Sequence, residues 1–298
     1  MNTSQSAPQG AKDVFAKFIE YALQPLIIAV VLGYWVFNPE NPLVHPIVVL
    51  SVQLLLGTLE YLLPARRDWL QPLKEKLTLI TIMVVIYTLT VFIGITYDNL
   101  FRAPLGEIRE ALGMNIWPSE WPMLFQVLLA FFMAEFIWYW LHRAEHRWQF
   151  FWRLSGHGAH HSFKHLGAIN SGANHPIEMF VILVPSMLVE LLFGAGLASV
   201  GAGVLTITQA TIAHCNLNMN TRYIGLLFTT NRYHIHHHSV VLAESNTNYG
   251  CSAIIWDRVF GTFADAPTRE TGTGPTEPSL WGKFLMPIKE PADTQIAP

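Results

Sequence analysis

Cysteine, charge and nucleotide-binding glycine motifs are what this 298-residue sequence has least of. Its two cysteines, Cys215 and Cys251, cannot build a disulfide framework, an iron–sulfur cluster or a cysteine-ligated zinc ribbon, so histidine is left as the metal ligand. Charged residues make up only 13% of the chain, against about a quarter in an ordinary soluble domain. The formal net charge is −3 and no long basic stripe occurs, which excludes nucleic acid as a partner. There is no GxGxxG fingerprint, no CxxC pair and no haem-attachment motif, so electrons from a nicotinamide have to arrive through another protein. The polar opening, Met1 to Asp13, lacks an apolar core ending in a small-residue cleavage site, and no cleavable signal peptide is expected.

What is present is apolar: 51% of the residues are hydrophobic. Runs at 23–37, 43–63, 77–96 and 123–140 approach the length of about 20 residues that crosses a bilayer as helix. Asn38-Pro39-Glu40-Asn41-Pro42 suits a tight turn between the first two. Lys12 and Lys17 precede the first span, and Arg66, Arg67, Lys74 and Lys76 lie between the second and third. The positive-inside rule puts both segments in the cytoplasm. The loop 97–122 then lies outside, and the fourth span delivers His142 to the cytoplasmic side. A longer apolar stretch, 177–213, is broken by Gly194, Gly196, Gly201 and Gly203 and reads as a hairpin, spanning or re-entrant. His175 and His214 flank it, so every histidine from His142 onward falls at one membrane face and His45 alone is left out. The expected fold class is all-α: an integral membrane helical bundle with a cytoplasmic histidine-rich cap. It divides into an N-terminal transmembrane region (1–122), a histidine-box catalytic domain including the hairpin (123–265) and a C-terminal tail (266–298), the last of these residues, 287–298, reading as mobile.

The histidines repeat helical spacing. His142 and His146 stand at i, i+4; His157, His160 and His161 at i, i+3, i+4; His234, His237 and His238 likewise. A single histidine is usually an ordinary core or surface residue, but eight in helical register at one face point to metal. One tetrahedral zinc takes about four ligands, so eight nitrogens suit two ions. Imidazole alone does not choose between zinc, copper, iron and nickel. A polar ligand layer beneath an apolar bundle would bring lipid C–H bonds to the metals, and those bonds yield to iron-activated dioxygen rather than to acid–base chemistry. Iron is therefore the expected metal. His142-Arg143-Ala144-Glu145-His146 also fits the HxxEH pattern of inverted zinc proteases, and a membrane metal transporter is a further alternative. The first would leave two triads unused, and the second would place its ligands near the bilayer midplane.

At these residues the sequence resembles the fatty acid hydroxylase and sterol desaturase superfamily of membrane di-iron enzymes. The resemblance covers about 134–263. It rests on the first box, on Trp152 through His157, His160, His161 and Ser162, on His214-Cys215-Asn216, and on His234 through Ser239. Asn248-Tyr249-Gly250 and Trp256-Asp257-Arg258 through Gly261-Thr262 extend it. It is nearest to the alkylglycerol monooxygenase and bacterial sterol-desaturase-like branch. The resemblance implies two iron ions, O2 as oxidant, an external electron carrier such as a ferredoxin or cytochrome with its reductase, and a lipid or sterol-like substrate. Hydroxylation is the expected reaction, with desaturation by the same oxidant left open, at the cytoplasmic face of a bacterial inner membrane or of the endoplasmic reticulum. The expected metal set is His142, His146, His157, His160, His161, His175, His214, His234, His237 and His238. In one departure, Asn218 stands four residues after His214 where the hydroxylase branch has a second histidine. Asn216 or Asn218 could hold a metal-bound water or satisfy a helix end. His175, before Pro176, has both a ligand and a structural reading. His165 and His236 read as supporting or surface residues and His45 as structural. Glu60 and Glu135 stand unassigned inside apolar runs, and Phe136, Trp138, Tyr139 and Trp140 read as an interfacial belt.

Overall fold

A computed structural model describes residues 9–219 and 222–289. The regular structure among the described residues is helical, with one isolated bridge, Ser239 to Thr271, and no strand. The helices are α1 (Gln9–Tyr21), α2 (Leu23–Phe37), α3 (Val44–Leu62), α4 (Leu73–Ala111), α5 (Met123–Arg147), α6 (Gln149–Ser155), α7 (His157–His161), α8 (Glu178–Ile182), α9 (Val184–Phe193), α10 (Leu197–His214), α11 (Asn231–His237), α12 (Leu242–Ser245), α13 (Ile255–Phe260) and α14 (Leu280–Leu285).

Among these, α3, α4, α5 and α10 are each long and apolar enough to cross a membrane. The 15-residue α2 qualifies only together with α1, from which it bends by 57°. The apolar run 177–213 divides unequally. Its first arm is broken into α8 and α9 near Pro185, its second is the continuous α10, and left-handed Gly194 (φ 79°) ends α9 between them. The span expected at 77–96 lies inside the longer α4, which continues through the segment expected as loop as far as Ala111. At 1.5 Å per residue α4 measures about 58 Å, nearly twice the hydrocarbon thickness of about 30 Å.

Lipid, not water, suits the outer faces. Val84, Val91 and Phe92 on α4 are exposed. The hydroxyls of Thr81, Thr88 and Thr96 donate to carbonyls four residues earlier, so these three present no free donor to the surroundings. The core lies where α10 meets α2, α3 and α5, through Trp35, Leu56, Val127, Phe131, Leu205 and Ile212. Close approach there requires a missing side chain: a Cβ on Gly201 would stand 2.2 Å from Trp35 Nε1 and 2.8 Å from a Val127 methyl.

Two buried polar ties fix the lower end of this bundle. Glu60 Oε1, near the end of α3, accepts from Ala168 N (2.8 Å) and Asn216 N (2.7 Å), joining the loops that follow α7 and α10. Asn216 in turn exchanges hydrogen bonds with the Arg66 backbone, Oδ1 accepting at 2.9 Å and Nδ2 donating at 2.8 Å. Of the stretch expected as a tail, residues to 289 are described. Thr268, Thr271, Lys283 and Met286 are buried, and α14 packs beside α7. Residues 290–298 lie outside the described residues, as do 1–8 at the polar N-terminal opening.

Candidate metal centre

The histidines converge because three of their helices end at the same level. α5 supplies His142 and His146 in its last turns, α10 supplies His214 as its last residue, and α11 carries His234 and His237 to its end. The short α7 is set by Gly156, left-handed at φ 77°, which closes α6 and opens the new helix at His157. A side chain at Gly156 would strike the His175 ring, its Cβ falling 2.6 Å from His175 Cγ.

Two groups form, and they do not follow the boxes. His142, His146, His157, His161 and His237 make one, and His160, His214, His234 and His238 the other, with ligand atoms in each within 4.8 Å of one another. The sorting follows from helix geometry. Residues at i and i+4 point within about 40° of each other, whereas i+3 lies about 100° from i+4. Each triad therefore gives its i, i+4 pair to one centre and its i+3 member to the other: His160 crosses to the second group and His237 to the first. His161 and His238 stack between the centres at 4.2 Å. All nine rings are at most 6% exposed.

The rings are oriented from behind. Nδ1 of His142 donates to Tyr249 O (2.6 Å), that of His237 to Thr247 O (2.7 Å), that of His214 to Ala210 O (2.7 Å) and that of His157 to Glu178 Oε1 (2.6 Å). The carbonyls can only accept, so the neutral rings of His142, His214 and His237 carry their proton on Nδ1 and present a bare lone pair at Nε2. His142 and His237 thus aim two lone pairs at each other across 3.2 Å, and His142 Nε2 lies 2.9 Å from His157 Nε2. Such a cluster repels itself until a cation occupies it, and the donor set fits a metal ion on that ground. Burial, and then the neighbouring imidazoles, holds His157, His160, His161, His234 and His238 well below the ordinary imidazole range. His237 is lowered by the same effects against a smaller opposing pull from Thr247 O. Neutral rings are the ligating form.

The trailing motifs work behind the first centre. Asp257 accepts from Tyr249 N (2.8 Å), Gly250 N (2.7 Å) and Thr262 Oγ1 (2.6 Å). Asn248, at a positive φ of 55°, bonds Tyr233 O and Ala264 O. Together they fix the Tyr249 carbonyl against His142.

Of the ten histidines in the expected set, nine are brought together. His175 is not among them: its Nε2 meets Phe284 O at 3.0 Å and its Nδ1 accepts from Ile177 N at 3.2 Å. Asn218 is exposed, and Asn216 is occupied with Arg66. His236 bonds Thr268 Oγ1 (3.0 Å) and His165 packs beside Trp69. Glu145 of the HxxEH pattern stands behind His157, 3.8 Å from Nδ1 and on the opposite side from Nε2, which is the wrong side for a base acting on metal-bound water. Of the aromatic run, Phe136 and Trp140 are exposed, as a belt requires, but Tyr139 is fully buried and Trp138 stacks on His142 at 5.2 Å. Glu178 and the carbonyls of Thr247 and Tyr249 carry no spacing signal and were not legible as site residues, whereas Trp138, four residues before His142 on α5, had the i, i+4 spacing that could have found it.

A cavity of about 290 Å³ opens above the histidines between α4, α5, α9 and α10. Its inner wall includes His142, His157, His160, His214 and His234. Its remaining walls are mainly apolar, with Ile86, Met179, Ile182, Leu183, Val200 and Ile207. From His214 to Val200 it follows α10 for about 21 Å.

The fatty acid hydroxylase family profile matches residues 127–262, which hold nearly all of this site. An ornithine lipid hydroxylase of Rhizobium tropici is 32% identical over 272 residues, 87% of this chain and 79% of its own length. An alkylglycerol monooxygenase of Caenorhabditis elegans is 29% identical over 147 residues, covering 49% of this chain but 28% of the larger protein. A methylsterol monooxygenase of Arabidopsis thaliana is 26% identical over 162 residues, 52% of this chain and 59% of its own. No solved structure matches the chain.

Proposed function

The chain belongs to the fatty acid hydroxylase family, and on that premise we propose that it is a membrane-bound di-iron oxygenase that hydroxylates a bilayer lipid. The observation that carries this reading is the cavity: an apolar chamber within a helical bundle, walled at its inner end by histidines of both centres. His142, His146, His157, His161 and His237 would hold one iron, and His160, His214, His234 and His238 the other. Bound there, the irons would supply reductive activation of dioxygen, the chemistry that an unactivated C–H bond requires.

The overall change balances as lipid C–H, O2, two electrons and two protons giving lipid C–OH and water. The chain's own part is to desolvate and position. Ile182, Leu183, Val200 and Ile207 hold an apolar chain against the histidine wall, and the buried rings exclude bulk water from the oxidation. Lacking a nucleotide motif, the protein takes its electrons from a ferredoxin- or cytochrome-type carrier and its reductase at the cytoplasmic face. That side is assigned by the basic residues between α3 and α4. The catalytic unit is residues 123–265.

An ornithine-type lipid is the first substrate to assay, from the name of the relative aligned along most of the chain. Purified, iron-loaded protein with carrier, reductase, NADPH and ¹⁸O2 should place one labelled oxygen in the lipid. Unlabelled or unsaturated product would overturn hydroxylation, and turnover with NADPH alone would overturn the external carrier. Impermeant labelling of a cysteine placed at Arg67, from outside intact cells, would overturn the cytoplasmic assignment.

A further inference from the structure

We infer that Glu135 is the recognition site for a cationic amine on the lipid substrate, an inference that rests on the hydroxylase reading above and names its substrate class. The cavity wall contains three carboxyl side chains, Glu135, Glu178 and Glu190, and neither lysine nor arginine. Two of the three face a basic group: Glu178 holds His157 Nδ1 at 2.6 Å and Glu190 meets Arg102 at 3.0 Å. Glu135 has only neutral donors. Thr206 Oγ1 donates to its Oε1 (3.0 Å) and Ser252 N to its Oε2 (3.3 Å).

It is 2% exposed, sits within an apolar span and lies seven residues before His142 on the same helix. A carboxyl group at that depth is costly, and one that lines a cavity usually serves what enters it. Thr206 Oγ1 and Ser252 N make its two close hydrogen bonds, with the Ser252 hydroxyl and Ala253 N as further neutral donors, so none of its partners carries a charge. An ammonium group, three donors with no acceptor, is the ligand that would supply one. A fatty-acid carboxylate or a phosphate headgroup would instead meet the uncompensated Glu135 carboxyl at low dielectric, with no lysine or arginine on the cavity wall to offset it. Seven residues of helix separate Glu135 from His142 by about 10 Å. The oxidised carbon therefore lies on the metal side of the ammonium and within about that distance of it.

The competing account is structural, with Glu135 merely tying α5 to α10 and to the loop at Ser252. Glutamine would preserve that tie, since its amide keeps an acceptor for Ser252 N and a partner for Thr206. The test compares an amine-bearing lipid with its N-acetylated twin of identical chains, in nanodiscs of phosphatidylcholine. Lipid retention by native mass spectrometry, which needs no turnover, is read beside kcat/KM of the iron-loaded enzyme. Wild type should favour the amine lipid at least about tenfold in both, through KM rather than kcat. Glu135→Gln should bring the amine lipid down to the level of its twin, and Glu135→Asp should regain part of the preference. Selective retention without oxidation of either lipid would refute the hydroxylase reading while supporting the recognition site. Equal retention by wild type, or an undiminished preference in Glu135→Gln, would overturn the site. Should that variant fail to accumulate, wild type decides: a long-chain alkylammonium should compete with substrate, and competition by the matching alcohol at equal strength would refute the inference.

Discussion

The centre formed by His142, His146, His157, His161 and His237 differs from that of His160, His214, His234 and His238 in number and in how its rings are held. In the first, three Nδ1 atoms are tied, to Tyr249 O, Glu178 and Thr247 O. In the second only His214 is tied, to Ala210 O, while Nδ1 of His160, His234 and His238 has no partner among the described residues. A ring fixed from behind loses little freedom when it binds and keeps its lone pair aimed. The first centre is thus the preorganised one. The second has one histidine fewer and freer rings, and an ion held there would have more room for an exchangeable ligand. The chain's departure at Asn218 falls on this second centre, and its exposure means that nothing there replaces the missing imidazole.

The most severe way to break the comparison is to remove a ligand from each side. His161→Ala and His238→Ala should each lower product formation by at least about 100-fold, the upper end of what loss of a supporting partner alone costs. Iron should fall from two to one per chain in both, by elemental analysis. Loss of both ions in either variant would mean that the 4.2 Å stack between those rings makes one indivisible site. Next in size, Glu178→Leu removes the anchor of His157. The first iron should then bind about 10- to 100-fold more weakly while the second is unchanged, and Mössbauer spectra should show one perturbed component. Equal weakening of both would erase the distinction drawn above.

A pH titration of the metal-free protein gives a smaller, graded effect. The rings of His157, His160, His161, His234, His237 and His238 are depressed below the ordinary value of 6.5, so the folded state refuses protons that the unfolded chain accepts. Their contribution is fully present above pH 6.5 and is lost as pH falls from there toward the depressed values. Burial pushes the Glu178 carboxyl the opposite way, so the readout is a difference. The melting temperature of His234→Ala, which removes one depressed ring and leaves Glu178 in place, should fall less steeply below pH 6.5 than that of wild type; an equal or steeper fall would contradict it. Smallest of all, His175→Ala should keep both irons and cost about 1–3 kcal/mol in stability, the worth of its two hydrogen bonds, to Phe284 O and from Ile177 N. Loss of an iron there would restore His175 to the ligand set.

Helical spacing made eight of the nine clustered histidines legible in the sequence, because i, i+3 and i+4 survive as geometry whatever the tertiary fold; His214, alone on its helix, was reached through the apolar hairpin it closes and through the family resemblance. The split of each triad follows from the same spacing, but which histidines share a centre was hidden: that His237 joins His142 and His160 joins His214 depends on how α7 and α11 face each other, which no local pattern encodes. Hydropathy located α3, α4, α5 and α10, since burial in lipid is written residue by residue. It missed the helical extension from Tyr97 to Ala111 because a helix leaving the bilayer becomes polar without ceasing to be helix. Glu60 was visible as an anomaly within an apolar run but not as the tie between Ala168 and Asn216, whose amides come from loops more than 100 residues further along the chain. Trp138 differs: it stands four residues before His142 on α5, so the i, i+4 spacing that groups the histidines also encodes its stack on that ring, which reading the aromatic run as a belt overlooks.

The opposed lone pairs of His142 and His237 also bear on how the protein is made. Insertion of the apolar helices needs only a bilayer, but closing the histidine layer brings together imidazoles from α5, α7, α10 and α11 that repel until cations arrive. Biogenesis should then fall into two stages with separate suppliers, lipid first and metal second, the chain waiting between them having its helices inserted and its histidine layer open. In cells starved of iron that waiting form should be the one that quality-control proteases remove, so steady-state abundance would follow the metal supply even where transcription is constant. Pulse-chase turnover measured with and without a chelator would read that coupling directly.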